Sequence, residues 1–245
     1  LLKKGYRVYV TDLACKNKFD DFISTHQREL SSGQLHTCFG YHNEKFFKNA
    51  DLVVVNPAVP APWNNIYIKK AHENGAIITT EIRLAAELLN RNKVIGVTGT
   101  FGKSTTVSMI EHIFKENNIK CCISGNFGGS LLDEFEKISK DVFVILELSS
   151  FMLWWLGNTP FNKANQNGWS PKYAAITNVI SNHLDWHKTI SHYENSKKNI
   201  HMFQNKNDYS ISGHNIKKID ASLKLMIPGD YNKINAQIAS QVAST

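Results

Sequence analysis

The sequence predicts an α/β protein with mostly parallel sheets, and three observations carry that expectation. Runs of aliphatic and β-branched residues alternate with amphipathic or polar segments, the order that strand-helix-strand units produce. One run, residues 93–98, passes through the turn Gly99-Thr100-Phe101-Gly102 into a segment whose Val107, Ile110, Ile113 and Phe114 share one helical face. Polar residues suited to ligand binding recur just past strand ends, where open α/β sheets place their sites.

Taken in order, residues 7–11, 52–55 and 76–79 read as the first strands, with amphipathic or polar segments between them. Asp12 closes the first strand and Asn56-Pro57-Ala58 the second. Asp12 reads equally well as a ligand contact or as a plain turn residue. A helix over 82–89 leads into the polar Asn90-Arg91-Asn92, the expected junction between a domain of residues 1–91 and one of residues 92–245. Beyond the glycine-bearing turn, strands are expected at 120–124, 141–146 and 173–177. Residues 157–172, rich in Asn, Gly and Pro, read as a surface loop. No internal repeat is visible.

Composition narrows the function classes. A chain of 245 residues with 42% hydrophobic content can bury a substantial core and hold two domains. No apolar run approaches the roughly 20 residues of a membrane span, and no leader-like segment opens the chain. Cys15, Cys38, Cys121 and Cys122 show neither Cys-x-x-Cys spacing nor a staple pattern, so a cytoplasmic protein without a membrane partner is expected. The net charge of +7 comes from scattered residues with no cluster longer than a Lys-Lys pair. That distribution argues against nucleic acid and for attraction of small polyanions. The start Leu-Leu-Lys-Lys-Gly, without an initiator Met, and the alanine-bearing end 237–245, which reads as an unfinished helix, predict that flanking elements are missing.

The turn before Lys103-Ser104 has the makings of a phosphate cradle. Backbone N–H groups and a helix start converge on an anion, Lys103 reaches outer phosphates, and the Ser104 hydroxyl suits Mg²⁺. The spacing departs from the usual pattern, since Val97 stands where a glycine is common; the plainer alternative is a strand-to-helix turn followed by a chance Lys-Ser. Glu147, at a strand end, is a metal ligand or a helix-start residue. His183, two residues before Asp185, is a ligand or a solvated ring. From chemistry alone, Lys197 and Lys198 read as the solvated face of a helix near 193–200.

Six segments together resemble the Mur ligases of peptidoglycan synthesis. They are Thr98-Gly99-Thr100-x-Gly102-Lys103-Ser104, Gly125-Asn126-Phe127-Gly128, Leu146-Glu147-Leu148-Ser149-Ser150-Phe151, His183-Leu184-Asp185, Tyr193-x-x-x-Lys197 and Asn232-x-x-Asn235-Ala236. They run collinearly over essentially the whole chain, and the Glu147 to Phe151 segment most resembles the branch that adds D-glutamate. The resemblance implies a Rossmann-like uridine-nucleotide domain over 1–91 and a phosphate-loop ATP-binding domain over 92–245, with a third, glutamate-binding domain absent. It further implies an ATP-dependent ligase that joins D-glutamate to UDP-N-acetylmuramoyl-L-alanine through an acyl phosphate, acting as a monomer.

Roles follow from the same resemblance. Thr98, Gly99, Thr100, Gly102, Lys103, Ser104 and Thr105 would hold ATP phosphates, with Asn235 at the adenine. Ser104 and Glu147 would bind one Mg²⁺, and His183 a second beside Lys197, which would be carbamylated by CO₂ to an anionic oxygen ligand. Lys103, His183 and Lys197 are thereby the expected catalytic residues. Asn126, Ser149 and Phe151 would meet the substrate, Asp12 the uridine end, and Asn56 and Pro57 the UDP pyrophosphate. Five positions depart from the family pattern: Phe101 replaces the usual Asn, Asn182 Asp, Met152 Gln, Ala58 Gly and Tyr231 His. The interval from Lys197 to Asn232 is also short. Two alternatives remain open, a non-catalytic nucleotide-binding relative and a ligase that adds a different amino acid.

Overall fold

The computed structural model describes residues 1–135, 138–163, 166–216 and 225–245. It divides into two compact units, Leu1–Val53 with Asn64–Ile77, and Val54–Trp63 with Ile78–Thr245. Among the described residues no helix is long and apolar enough to cross a membrane.

In the first unit, β1 (Val8–Asp12) pairs in parallel with β2 (Leu35–Phe39), in a register running from Val8 opposite Leu35 to Asp12 opposite Phe39. Helices α1 (Asp20–Thr25) and α2 (Gln27–Ser31) connect them, and Phe19 stacks on Phe39 with ring centres 4.1 Å apart. Helix α3 (Glu44–Lys48) starts at Asn43 and α4 (Ile66–Glu73) at Asn65; both asparagine side chains accept hydrogen bonds from backbone N–H groups of the first turn. Strand β3 (Leu52–Val54) pairs with β4 (Ile77–Thr79). The three expected strands are thus present within a residue or two of their predicted ends. Strand β2 was not anticipated, because its two buried side chains, Leu35 and Cys38, are three residues apart and hide the alternation of a strand.

The second unit is a parallel five-stranded sheet. Helix α5 (Glu81–Leu88), capped by the Thr80 hydroxyl, precedes β5 (Val94–Thr98), and α6 (Lys103–Glu116) follows it. Then come β6 (Cys121–Gly125), α7 (Leu131–Glu134), β7 (Phe143–Glu147), α8 (Ser150–Leu156), β8 (Tyr173–Ile176), α9 (Leu184–His187), α10 (Ile190–Met202), β9 (Tyr209–Ser212) and α11 (Asp230–Ala243). Strand order is β6-β7-β5-β8-β9, so the chain steps over β5 between β7 and β8 and creates a crevice at the carboxyl ends of the central strands.

Alternation along the strands feeds two cores. Val94, Val144, Leu146, Ala174 and Ile176 pack with Ile82, Leu153 and Ile200 on one face. Ile95, Val97, Ile145 and Ala175 pack with Val107, Ile110, Phe114, Ile238 and Val242 on the other. This doubly wound α/β arrangement is the fold class the sequence predicts. Two local expectations change. Residues 157–163 and 166–172 are loop segments, but part of them is interior: Phe161, Ser170 and Pro171 are buried, and a side chain at Gly96 would meet Pro171 at 2.7 Å. The alanine-bearing residues 237–243 are the second half of α11, which begins at Asp230.

Candidate active site

The site is assembled where β5, β6, β7 and β8 end. The loop after β5 makes its turn through Gly99 (φ +155°) and Gly102 (φ +81°), conformations that favour glycine. A Cβ at Gly99 would lie 1.9 Å from the Thr177 hydroxyl, and one at Gly102 would lie 2.7 Å from the Asn235 amide. The loop is braced from β8: Thr100 N–H donates to the Asn178 carbonyl at 2.9 Å, and Phe101 N–H to the Asn178 side-chain oxygen at 3.0 Å. Asn235, buried on α11, therefore sits against the loop at Gly102, the residue that opens α6.

Helix α6 starts at Lys103 with no side-chain cap, so its first N–H groups are left for an outside acceptor. Lys103 Nζ folds back onto the carbonyls of Gly99 and Thr100, each at 3.1 Å. Burial lowers its pKa, partly offset by Glu147. Ser104 donates its hydroxyl proton to a Glu147 carboxylate oxygen at 2.6 Å, and the Asn126 amide donates to the other oxygen at 2.8 Å. Glu147 is 1% exposed, and the next helix is capped by Ser149, whose hydroxyl accepts from Met152 N–H at 3.2 Å. The residue that caps α8 is thus Ser149 and not Glu147. Gly125 (φ +102°) permits the approach of Asn126, since a Cβ there would meet the Glu147 carbonyl at 2.4 Å.

Helix α10 contributes the least expected feature. Lys197 is 2% exposed, whereas Lys198 is exposed, so the solvated-face reading of the pair holds for Lys198 alone. The Lys197 amine donates to the Gly99 carbonyl at 2.8 Å and lies 4.8 Å from the centre of the Tyr193 ring. Burial, followed by repulsion from Lys103, lowers its pKa to about 7, with Glu147 opposing. Tyr193, one turn earlier on the same face, shares a 2.8 Å hydrogen bond with the Thr100 hydroxyl. The spacing Tyr193-x-x-x-Lys197 thus serves to place two side chains on one loop.

Not every expected residue joins this centre. His183 is exposed at a left-handed turn (φ +52°), its ring 5.0 Å from Phe151 and 6.4 Å from Tyr193. Asn182 uses its side-chain oxygen on the His183 backbone N–H at 2.8 Å, not on the ring. Among the described residues no group of three or more His, Cys, Asp and Glu side chains is gathered to hold a metal. Asp12 belongs to the first unit, where it accepts from Ala14 N–H at 2.7 Å in a turn. Asn56 makes the same kind of turn with Ala58 N–H at 2.9 Å, followed by Pro57. Thr105 lies in the first turn of α6, and Thr98 donates to the Leu148 carbonyl at 2.7 Å. Phe101 and Tyr231, two of the departures, are 62% and 67% exposed. Sequence reasoning gave no role to Asn178 or His187. The first follows a strand end and the second lies four residues after His183, which are the signals that identify them.

The residues fit a nucleotide and a hard divalent cation. The two glycines let the loop close against Thr177 and Asn235 where a Cβ would not fit, the start of α6 is uncapped, and the Ser104 and Glu147 oxygens are the donor type Mg²⁺ takes. Comparisons agree. Residues 97–241 match the Mur ligase middle domain. The chain is 34% identical over 212 residues to UDP-N-acetylmuramoylalanine–D-glutamate ligase of Fervidobacterium nodosum, covering 86% of this chain and 46% of that protein. It is 32% identical over 210 residues to the ligase of the same name from Clostridioides difficile, covering 85% and 43%. The chain therefore spans about half the length of the curated relatives it matches. Among solved structures, the UDP-N-acetylmuramate:L-alanyl-gamma-D-glutamyl-meso-diaminopimelate ligase from Neisseria meningitides superimposes with a TM-score of 0.60 at 13% identity, over 99% of this chain and 86% of that one, a likeness of fold. A glycine-bearing loop, a buried carboxylate beside it and a family match across most of the second unit agree: the chain belongs to the Mur ligase family.

Proposed function

We propose that this chain is part of an ATP-dependent ligase that joins D-glutamate to UDP-N-acetylmuramoyl-L-alanine. The observation that carries the reading is the Ser104–Glu147 contact at the uncapped start of α6, beneath a loop that admits only glycine at two positions. In this reading residues 1–91 serve the uridine nucleotide, with Asp12, Asn56 and Pro57 toward it, and residues 92–245 serve ATP. The α6 N–H groups and Lys103 hold the phosphates, while Asn235, buried beside Gly102, lies toward the adenine. Ser104 and Glu147 hold Mg²⁺, which when bound neutralises phosphate charge.

The substrate alanyl carboxylate attacks the γ-phosphorus and ADP leaves; the amine of D-glutamate then attacks the acyl carbon, phosphate departs and the amine loses a proton. Lys103 supplies charge opposite the transferring oxygens. Asn126, Ser149 and Phe151, around the start of α8, orient the substrate, with His183 and Lys197 serving a second cation. A pKa lowered to about 7 leaves much of the Lys197 amine neutral near neutral pH, the form that adds to CO₂ with loss of a proton to give a carbamate.

Titration calorimetry tests the nucleotide site directly. Lys103→Ala is expected to weaken Mg-ATP binding by about ten-fold or more, the loss of a charge-assisted phosphate contact. Equal affinity in parent and variant overturns the assignment. In the full-length protein, ADP release that requires both UDP-N-acetylmuramoyl-L-alanine and D-glutamate is the expected activity; release with neither excludes the ligase reading.

A further inference from the structure

Helices α8, α9 and α10 meet at one imidazole that the reaction does not use. His187 is 1% exposed and ends α9. Its Nε2 lies 2.9 Å from the Ser150 hydroxyl at the start of α8, and its Nδ1 lies 3.0 Å from His192 Nδ1 in the first turn of α10. The ring stacks on Phe151 (centroids 5.6 Å apart, 26°) and meets Tyr193 edge-on (5.3 Å, 78°). Its backbone N–H donates to the His183 carbonyl at 2.9 Å, which ties it to the turn that presents His183. Burial, and the neighbouring His192, His183 and Lys197, hold the ring neutral, with a pKa lowered to about 3 against the opposing pull of Asp185. A neutral imidazole has one N–H and one acceptor nitrogen at separated points of a rigid ring. Such a ring donates at one of these contacts and accepts at the other, whichever tautomer is present.

We propose that His187 is a positioning residue: by bonding Ser150 at one nitrogen and His192 at the other, it holds the helix that bears Lys197 and the turn that bears His183 against the start of α8. The consequence is a Lys197 amine kept buried against the phosphate loop through α10, with Tyr193 held on Thr100. The significance of that placement for catalysis rests on the proposed function. The placement itself does not, and it can be measured without turnover.

The experiment is competitive acetylation at neutral pH, read by mass spectrometry as the labelling of Lys197 relative to the exposed Lys198. His187→Phe keeps a ring and removes both hydrogen bonds, while His187→Gln can retain one. Arg91→Ala is the control for general destabilisation. It removes the Arg91–Asp208 ion pair and the bond to the Ser170 carbonyl, at the end of β5 opposite the phosphate loop. Lys197 labelling is expected to rise about ten-fold in His187→Phe and less in His187→Gln, and to stay within about two-fold in Arg91→Ala despite a lower Tm. Unchanged labelling in His187→Phe, or an equal rise in Arg91→Ala, overturns the proposal. If the Phe variant fails to fold by circular dichroism, His187→Gln decides by the same comparison. In the full-length protein His187→Gln should lower kcat while leaving KM for ATP within about two-fold. Absence of ligase turnover in the parent would refute the proposed function and leave the labelling result on His187 intact.

Discussion

Gly99 is the residue with the least freedom in the site, because the volume its side chain would need is already filled by Thr177. The Thr177 hydroxyl also donates to the Phe101 carbonyl, so displacing it loosens the loop as well. Gly99→Ala is expected to lower stability by about 1–3 kcal/mol in urea titration and to abolish Mg-ATP binding by calorimetry. His187 supplies a pH prediction. Its folded pKa, about 3, lies below the ordinary histidine value of 6.5, so the unfolded chain binds the extra proton. The group's contribution is fully present above about pH 6.5 and is lost as pH falls through that value toward 3, at up to about 1.4 kcal/mol per pH unit. Parent and His187→Gln should therefore converge in stability on acidification through this window; a constant difference counts against a neutral buried ring. Lysine burial was the least legible property at this scale. Adjacent Lys197 and Lys198 differ only in which way α10 turns them, and that depends on Tyr193 finding Thr100, far away in sequence.

At the scale of elements, Arg83 joins α5 to α8. Its guanidinium donates to the carbonyls of Leu156 at 3.2 Å and Asn167 at 2.7 Å, and its Nε to Glu87 at 2.6 Å. The cation thus meets the open carbonyl end of α8, where positive charge is favoured, and fastens the loop that follows. Arg83→Met should cost about 2–4 kcal/mol in denaturant titration by leaving buried carbonyls unpaired, with Mg-ATP affinity within about two-fold of the parent. Arg83→Lys should recover little, because a single ammonium cannot reach the separated acceptors. Most elements were legible where composition matched geometry: β5 and β7 are continuous apolar runs because both their faces are covered. Strand β9 escaped notice because its Tyr-Ser-Ile-Ser alternation is that of a short edge strand, covered less completely. The loop over 157–172 looked external by composition, yet Pro171 and Ser170 serve the core, since Gly96 opens room for the proline ring. The glycine-bearing turn and Glu147 were readable as candidate site residues because strand ends and helix starts are local features, whereas Asn235, inside α11, was reached only through the family resemblance. The His187 contacts, made between three helices, have no local signature.

The molecule as a whole combines two units of unequal build. The second is organised around a covered five-stranded sheet with apolar clusters on both faces. Among the described residues, the buried apolar side chains of the first are Leu35, Cys38, Ile68, Ala71 and Ala76, while Tyr6, Tyr9, Leu13, Tyr41 and Ile66 are exposed. Burial of apolar surface is the main term opposing chain entropy, so the first unit should open at lower denaturant than the second. Hydrogen exchange read by mass spectrometry is expected to show early exchange across 1–53 and 64–77, with protection concentrated in β5, β7 and β8. The proposed ATP site lies wholly in the second unit, and ligand linkage acts only on the unit that binds. Mg-ATP at about 100 times its Kd should therefore stabilise the second unit by about 2.7 kcal/mol and leave exchange in the first unchanged. Equal protection of both units by Mg-ATP would mean that they open together, and would refute the view of the chain as two separately stable bodies.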